Sequence, residues 1–185
     1  MGLIQRIDTD IDTARLSDEV FSLIAAHNLS GRQQISLTGI DGSNDWDAGN
    51  GKIRELPYPE DRYNIVNDAL QGSYIAELIH RYSRFYRWRL LKLLPKQSYS
   101  VHRDGIDRVN YRLHIPVVTN NEALFSFYST RPGDKVRANV YFEHLALGNS
   151  YEVNTSNFHT AVNYGNTDRY HIVGVRYEDS NNRAH

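Results

Sequence analysis

The sequence predicts a mainly β domain with flanking helices, in which a small N-terminal α/β portion leads into an antiparallel sandwich or barrel. Three observations carry that expectation. From Phe85 onward, short strand-like runs follow one another with turn signals between them. Helical spacing is confined to stretches before Phe85. Thirteen tyrosines weight the chain toward a residue that strands favour. At 185 residues the chain suffices for one well-buried core and is short for two. The expected layout is therefore a single domain, with 1–84 as front portion and loop, 85–178 as the strand core and 179–185 as a frayed tail.

The elements follow in order. Residues 3–7 read as a first strand. Leu16, Val20, Leu23, Ile24 and His27 keep helical spacing, with Ser17 or Thr13 as the expected cap and Asn28 ending the helix. Residues 33–38 read as a strand. From Gly39 to Pro59 turn formers dominate, and an irregular passage of that length is usually functional or disordered; Trp46 and Tyr58 either close over a pocket or are incidental aromatics of a surface loop. A weak helical pattern spans 60–70, and a firmer one begins after Ser73 with Ile75, Leu78, Ile79 and Tyr82 as its apolar stripe and His80 off it. Strands are then expected at 87–94, stopped by Pro95, and at 98–102, 111–119, 123–128, 136–143, 150–154 and 169–177.

Composition removes several function classes. A formal net charge of −1 leaves no basic excess for a nucleic acid. No apolar run approaches the length of a membrane span, and the N-terminus has no signal-peptide core. Zero cysteines exclude disulfides and thiolate metal sites and suit a cytoplasmic, reducing setting. Any metal must therefore be held by histidine and carboxylate.

The stretch Gln97-Ser-Tyr-Ser-Val-His-Arg-Asp104 alternates, and a strand would place His102 and Asp104, two apart, on one face. His159, in Asn157-Phe-His159 just past an expected strand, would add a third ligand. Two imidazoles and one carboxylate on one face of an octahedron leave three positions open, the arrangement that non-haem Fe(II) oxygenases use. Arg112-x-His114 and Arg169-x-His171 repeat the same spacing. Taken singly, each pair is most simply a solvated strand face. Together they suit one polar pocket holding a metal and an anion, because the planar arginine fork binds both carboxylate oxygens and stays charged when desolvated.

These residues, with Tyr111-Arg-Leu-His-Ile-Pro-Val-Val-Thr-Asn120, Gly148-Asn-Ser-Tyr-Glu-Val-Asn154 and Asn163-Tyr-Gly-Asn-Thr-Asp-Arg-Tyr-His171, resemble the aspartyl/asparaginyl β-hydroxylase family over roughly 90–177. Upstream of Phe85 there is no close match. The resemblance implies a double-stranded β-helix (jelly-roll or cupin-like) core and an Fe(II)- and 2-oxoglutarate-dependent dioxygenase, with O2 as oxidant and ascorbate as supporting reductant. It implies His102, Asp104 and His159 as the metal ligands. Arg169, ten residues past the second histidine (169 − 159 = 10), would take the distal carboxylate of 2-oxoglutarate. Arg112 and His114 would lie beside the co-substrate, and His171 matches a less constant position. Some relatives lack the acidic ligand, so the chain resembles the complete-triad branch; a serine that helps hold the co-substrate in some members falls near Leu91 here. No side chain beyond the metal ligands need act as a general base.

The implied reaction is hydroxylation of an amino-acid unit, with 2-oxoglutarate going to succinate and CO2. The substrate is expected to be an Asp or Asn side chain in a peptide or protein, or else a free amino acid such as proline, with no nucleic-acid or membrane partner. The loop 39–59 and the turn 105–110 would shape the substrate side, and Arg103, Arg131 and Lys135 are candidate contacts. The alternative class is a non-catalytic, metal-binding cupin-like module, which would need the same pocket without Arg169.

Overall fold

The computed structural model describes residues 2–52, 55–104, 109–131, 133 and 139–178. Two antiparallel sheets make up most of it. The larger has six strands in the order β1 (Ile4–Asp8), β10 (Ser150–Asn154), β7 (Val109–Val118), β12 (Arg169–Glu178), β5 (Tyr86–Leu93), β2 (Gln34–Ser36). The smaller runs β6 (Gln97–Ser98), β11 (Phe158–Asn163), β8 (Ala123–Tyr128), β9 (Val140–Glu143). A two-stranded ribbon pairs β3 (Thr38–Gly39) with β4 (Ile65–Val66). Among the described residues the two large sheets stay separate, and no closed barrel forms.

The larger sheet is buried on both faces, which is why its central strands lack simple alternation. Trp88, Leu90, Leu113, Ile115, Tyr170 and Ile172 face two helices, α1 (Thr13–Ala26) and α2 (Tyr74–Arg81), and form one apolar cluster with them. On the opposite face Leu93, Tyr151 and Val153 meet Phe125, Phe127 and Ala161 of the smaller sheet. The polar spacing of Arg112, His114, Arg169 and His171 therefore points into the space between the sheets.

The helices carry the expected stripes, but α1 starts earlier than its expected caps. Asp12 is the N-cap and accepts from the Arg15 amide at 3.0 Å, so Thr13 is already helical and Ser17 lies inside. Ser73 caps α2 by accepting from the Ala76 amide at 3.1 Å. The expected strand 33–38 is split at Leu37, whose amide donates to Trp88 O and whose carbonyl accepts from Asn67 N, carrying the chain from sheet to ribbon. The weak helix over 60–70 resolves into two 3-10 turns, Glu60–Arg62 and Asp68–Leu70, on either side of β4.

Two further expectations are corrected. Trp46 does not close over the pocket: it packs on the helix-side cluster, its ring 4.8 Å from that of His27, while Tyr58 is exposed. The strand expected at 98–102 pairs only at Gln97–Ser98 and again at a single bridge between His102 and His159. Most of the turn 105–110, Lys135, the start of the strand at 136 and the tail 179–185 lie outside the described residues. No helix among the described residues is long and apolar enough to cross a membrane.

Candidate metal centre and the arginines behind it

His159 follows β10, as expected, and is itself the second residue of β11, a strand the sequence reading did not include; it is buried and faces the inter-sheet space. The bridge to His102 brings the two imidazoles together, with ring centroids 4.4 Å apart. Asp104 completes a His/Asp/His set, one ligand atom from each lying within 4.8 Å of the others. Both histidines are set by the main chain: His102 Nδ1 lies 2.8 Å from Ser100 O, and His159 Nδ1 2.8 Å from Asn157 O. A carbonyl can only accept, so Nδ1 is a protonated nitrogen in each ring and Nε2 is the one left to serve as a ligand. Burial pushes the His159 imidazole down to about 4, against the pull of Asp104, so it is neutral near pH 7.

Asp104 is ionised and divided between two tasks. Burial would raise its carboxyl, but the Arg112 guanidinium, with His159 and His102, holds it well below the ordinary carboxylate range. Arg112 Nε donates to Asp104 Oδ2 at 2.9 Å, while Oδ1 lies 3.7 Å from His102 Nε2. The chain of charge continues inward. Arg112 Nη1 lies 3.6 Å from Glu60 Oε1, and Glu60 pairs with Arg87, both side chains being almost wholly buried. Arg87 sits at a bulge in β5 with φ +50° and donates to the carbonyls of Gly49 (2.7 Å) and Gly51 (2.8 Å). Those bonds hold a backbone conformation that non-glycine residues rarely adopt.

A second polar group lies along β12. Arg169 is buried, and no carboxylate among the described residues pairs with it. Its Nη2 contacts His171 Nδ1 at 3.1 Å, and burial lowers its pKa to about 10, which still leaves it charged. Burial, then the nearby arginines, keep His114 well below 6.5, while burial, then Arg169 and His114, do the same for His171. His171 Nε2 and His114 Nδ1 are buried without hydrogen-bond partners. Ring contacts run from His171 to His114 (5.7 Å), His114 to Phe125 (5.4 Å) and Phe125 to His159 (5.4 Å), so Arg169 and the triad share one continuous lining.

The donor set fits Fe(II): two imidazoles that each offer Nε2 and one ionised carboxylate leave room for further oxygen ligands. The lining fits a dicarboxylate, because an unpaired buried guanidinium and orphaned imidazole nitrogens stand behind the triad. Of the seven expected site residues, Arg112, His114, His159, Arg169 and His171 are buried between the sheets, while Asp104 is half-buried and His102 exposed at the rim. Arg103 is exposed and lies over the Phe158 ring at 5.5 Å, and Arg131 is exposed as well. Sequence reasoning missed two residues, Glu60 and Arg89. Arg87-x-Arg89 carries the same two-residue spacing as the other polar pairs and was absorbed into a strand; Glu60, distant in sequence, leaves no local pattern.

No protein-family model matches the chain, and none of the curated proteins matches it in sequence. Solved structures do match. The non-haem α-ketoglutarate-dependent epimerase SnoN from nogalamycin biosynthesis aligns with TM-score 0.55 and 13% identity, over 96% of this chain and 78% of that one. HygX from Streptomyces hygroscopicus, solved with nickel and 2-oxoglutarate bound, gives TM-score 0.54 and 9% identity over 96% and 83%. AviO1 from Streptomyces viridochromogenes gives TM-score 0.51 and 13% identity over 96% and 90%. The likeness includes the front portion, where the sequence offered no match, and it is a likeness of fold.

Proposed function

We propose that the protein is an Fe(II)- and 2-oxoglutarate-dependent dioxygenase that hydroxylates an amino-acid unit, an Asp or Asn side chain in a peptide or protein being the leading substrate. The observation that carries this reading is one continuous lining that joins a cysteine-free His/Asp/His set to a buried, unpaired arginine. A binding module has no evident need for that arginine, since leaving a guanidinium buried without a carboxylate is costly.

In this reading His102, Asp104 and His159 hold the iron through His102 Nε2, Asp104 Oδ1 and His159 Nε2. Arg112 keeps Asp104 ionised and turned. Arg169 takes the distal carboxylate of 2-oxoglutarate, with His171 as its neighbour, and His114 lines the path between. Phe125 and Phe127 exclude water from the inner wall. Iron with 2-oxoglutarate would supply the oxygen activation, coupled to loss of CO2 and formation of succinate, and ascorbate would keep the metal reduced. The side chains contribute binding and orientation, and none need move a proton. A cytoplasmic setting belongs to the same reading and rests on the cysteine-free composition alone. A free amino acid such as proline is the second substrate class.

The test is succinate formation by purified protein with Fe(II), ascorbate, oxygen and 2-oxoglutarate, with and without amino-acid and peptide pools. Succinate that requires iron and rises with one pool supports the assignment. No succinate, together with no visible charge-transfer band when Fe(II) and 2-oxoglutarate are mixed anaerobically, would move the assignment to a binding module.

A further inference from the structure

Three arginines project from β5 and β7 near Asp104, and only two have a carboxylate. Arg87 is paired with Glu60, and Arg112 with Asp104. Arg89 is 7% exposed, and no carboxylate among the described residues pairs with it. Its one hydrogen bond to a side chain runs from Nη1 to Gln34 Oε1 at 3.2 Å, and its Nε is buried with no partner. The local sum is three guanidinium groups against two carboxylates, a surplus of one positive charge (3 − 2 = 1).

The position of this surplus is set by register. Arg89 lies opposite Val173, and Val173 opposite His114, so Arg89 shares the inward row of the larger sheet with a residue of the site lining. It is not the same surplus as that of Arg169, which lies opposite Leu93 further along β12. The charges acting on Arg89 are those of Arg87, Arg112, Glu60 and Asp104, which places it toward the triad end of the lining. Burial there is costly for an unpaired cation, and a neutral residue would serve packing better.

We propose that Arg89 is a second anion subsite, one that binds a carboxylate of the primary substrate beside the metal triad. The inference rests on the oxygenase reading and deepens it: the substrate carries a carboxylate, and the neutral side chain of Asn in a peptide is the poorer fit. Two sources supply such a group. One is an Asp side chain within a peptide, and the other is the α-carboxylate of a free amino acid.

The test uses two acid–amide pairs as probes in isothermal titrations of the intact protein. N-acetyl-aspartate methylamide against its asparagine counterpart reads a side-chain carboxylate; L-proline against L-prolinamide reads an α-carboxylate. Each pair is titrated into metal-free protein and again with Fe(II) and 2-oxoglutarate under anaerobic conditions. In one pair the acid is expected to bind about 30-fold or more tighter than the amide. Arg89→Met should bring acid and amide to within about threefold of each other, with Arg89→Lys keeping part of the preference. Thermal melting gives a second readout. An anion subsite predicts that Arg89→Met holds or raises the Tm of the ligand-free protein, since an unpaired buried charge is removed; a merely structural Arg89 predicts a fall. Acid and amide binding alike in both pairs, neither acid binding at all, or a preference that survives Arg89→Met would each overturn the proposal. Failure of the unsubstituted protein to bind Fe(II) and 2-oxoglutarate would instead sink the oxygenase reading, and the metal-free titrations would still report on Arg89.

Discussion

Arg112 Nε donates to Oδ2 of Asp104 at 2.9 Å and so leaves Oδ1 as the oxygen facing His102. The arginine fixes both the charge and the rotation of the one acidic member of the triad. Arg112→Met should weaken Co(II) or Ni(II) binding about 10- to 100-fold, the usual cost of losing a group that orients a ligand. Calorimetric metal titration checks this, and an unchanged affinity would mean that Asp104 is held by other means.

Glu60 stands between Arg112 and Arg87 and is nearly inaccessible to solvent. Glu60→Gln leaves both guanidinium groups without their shared counter-charge and should cost about 3–5 kcal/mol of stability by urea unfolding. Because Arg87 also holds the carbonyls of Gly49 and Gly51, amide exchange at Asn50 and Gly51 should speed up in the same variant. Stability and exchange both unchanged would show that the ion chain is incidental.

Arg169→Ala separates the co-substrate from the metal. The 2-oxoglutarate affinity, read from the anaerobic charge-transfer band, should fall by about 100-fold or more, while metal affinity stays within about threefold. His102→Ala should do the reverse and remove metal binding with little change in the melting transition. Equal losses of metal and co-substrate in Arg169→Ala would undo the division of roles.

Three buried imidazoles set the response to acid. His159 is held at about 4, and His114 and His171 well below 6.5, whereas an unfolded chain titrates near 6.5. Between those values the unfolded state binds more protons, so stability rises with pH; it is full above about pH 6.5 and drains as pH falls toward 4. Each such histidine contributes a slope of about 1.4 kcal/mol per pH unit, and the three together up to about 4. Urea midpoints of the metal-free protein between pH 7 and 4.5 measure it. A flat profile would show that these rings are not buried neutral.

Gly174 lies where β12 crosses the buried face of Trp88. A Cβ at that position would meet three ring atoms of Trp88 at 2.9 Å, and the indole is tethered by its Nε1 bond to Phe85 O. Gly174→Ala should cost about 1–3 kcal/mol in equilibrium unfolding. No loss would mean that the β5 bulge can give way.

Much of the strand placement was legible from short apolar runs between turn signals; β8 and β10 match their expected bounds, 123–128 and 150–154, whereas β11 was not expected. The convergence of His102 with Asp104 was legible from their spacing, although the segment leaves the ladder after Ser98 and returns only at His102. What was not legible is long-range. Asp12 as a cap depends on backbone geometry one residue before the expected site. The Glu60–Arg87 and Glu60–Arg112 pairs join a 3-10 turn to strands far along the chain, and periodicity carries no trace of such partners. Arg89 was written in the same spacing as its neighbours, but only burial without a carboxylate distinguishes it from a surface arginine.

The two backbone carbonyls at Ser100 and Asn157 have a consequence for how such a centre can change over evolutionary time. Each histidine takes its tautomer from a main-chain oxygen two residues upstream, and every amino acid supplies that oxygen. Positions 100 and 157 are therefore free to drift without altering which nitrogen is presented. The instruction that readies the rings is stored in the path of the chain rather than in its letters, so it can persist in relatives that share almost no sequence with this one.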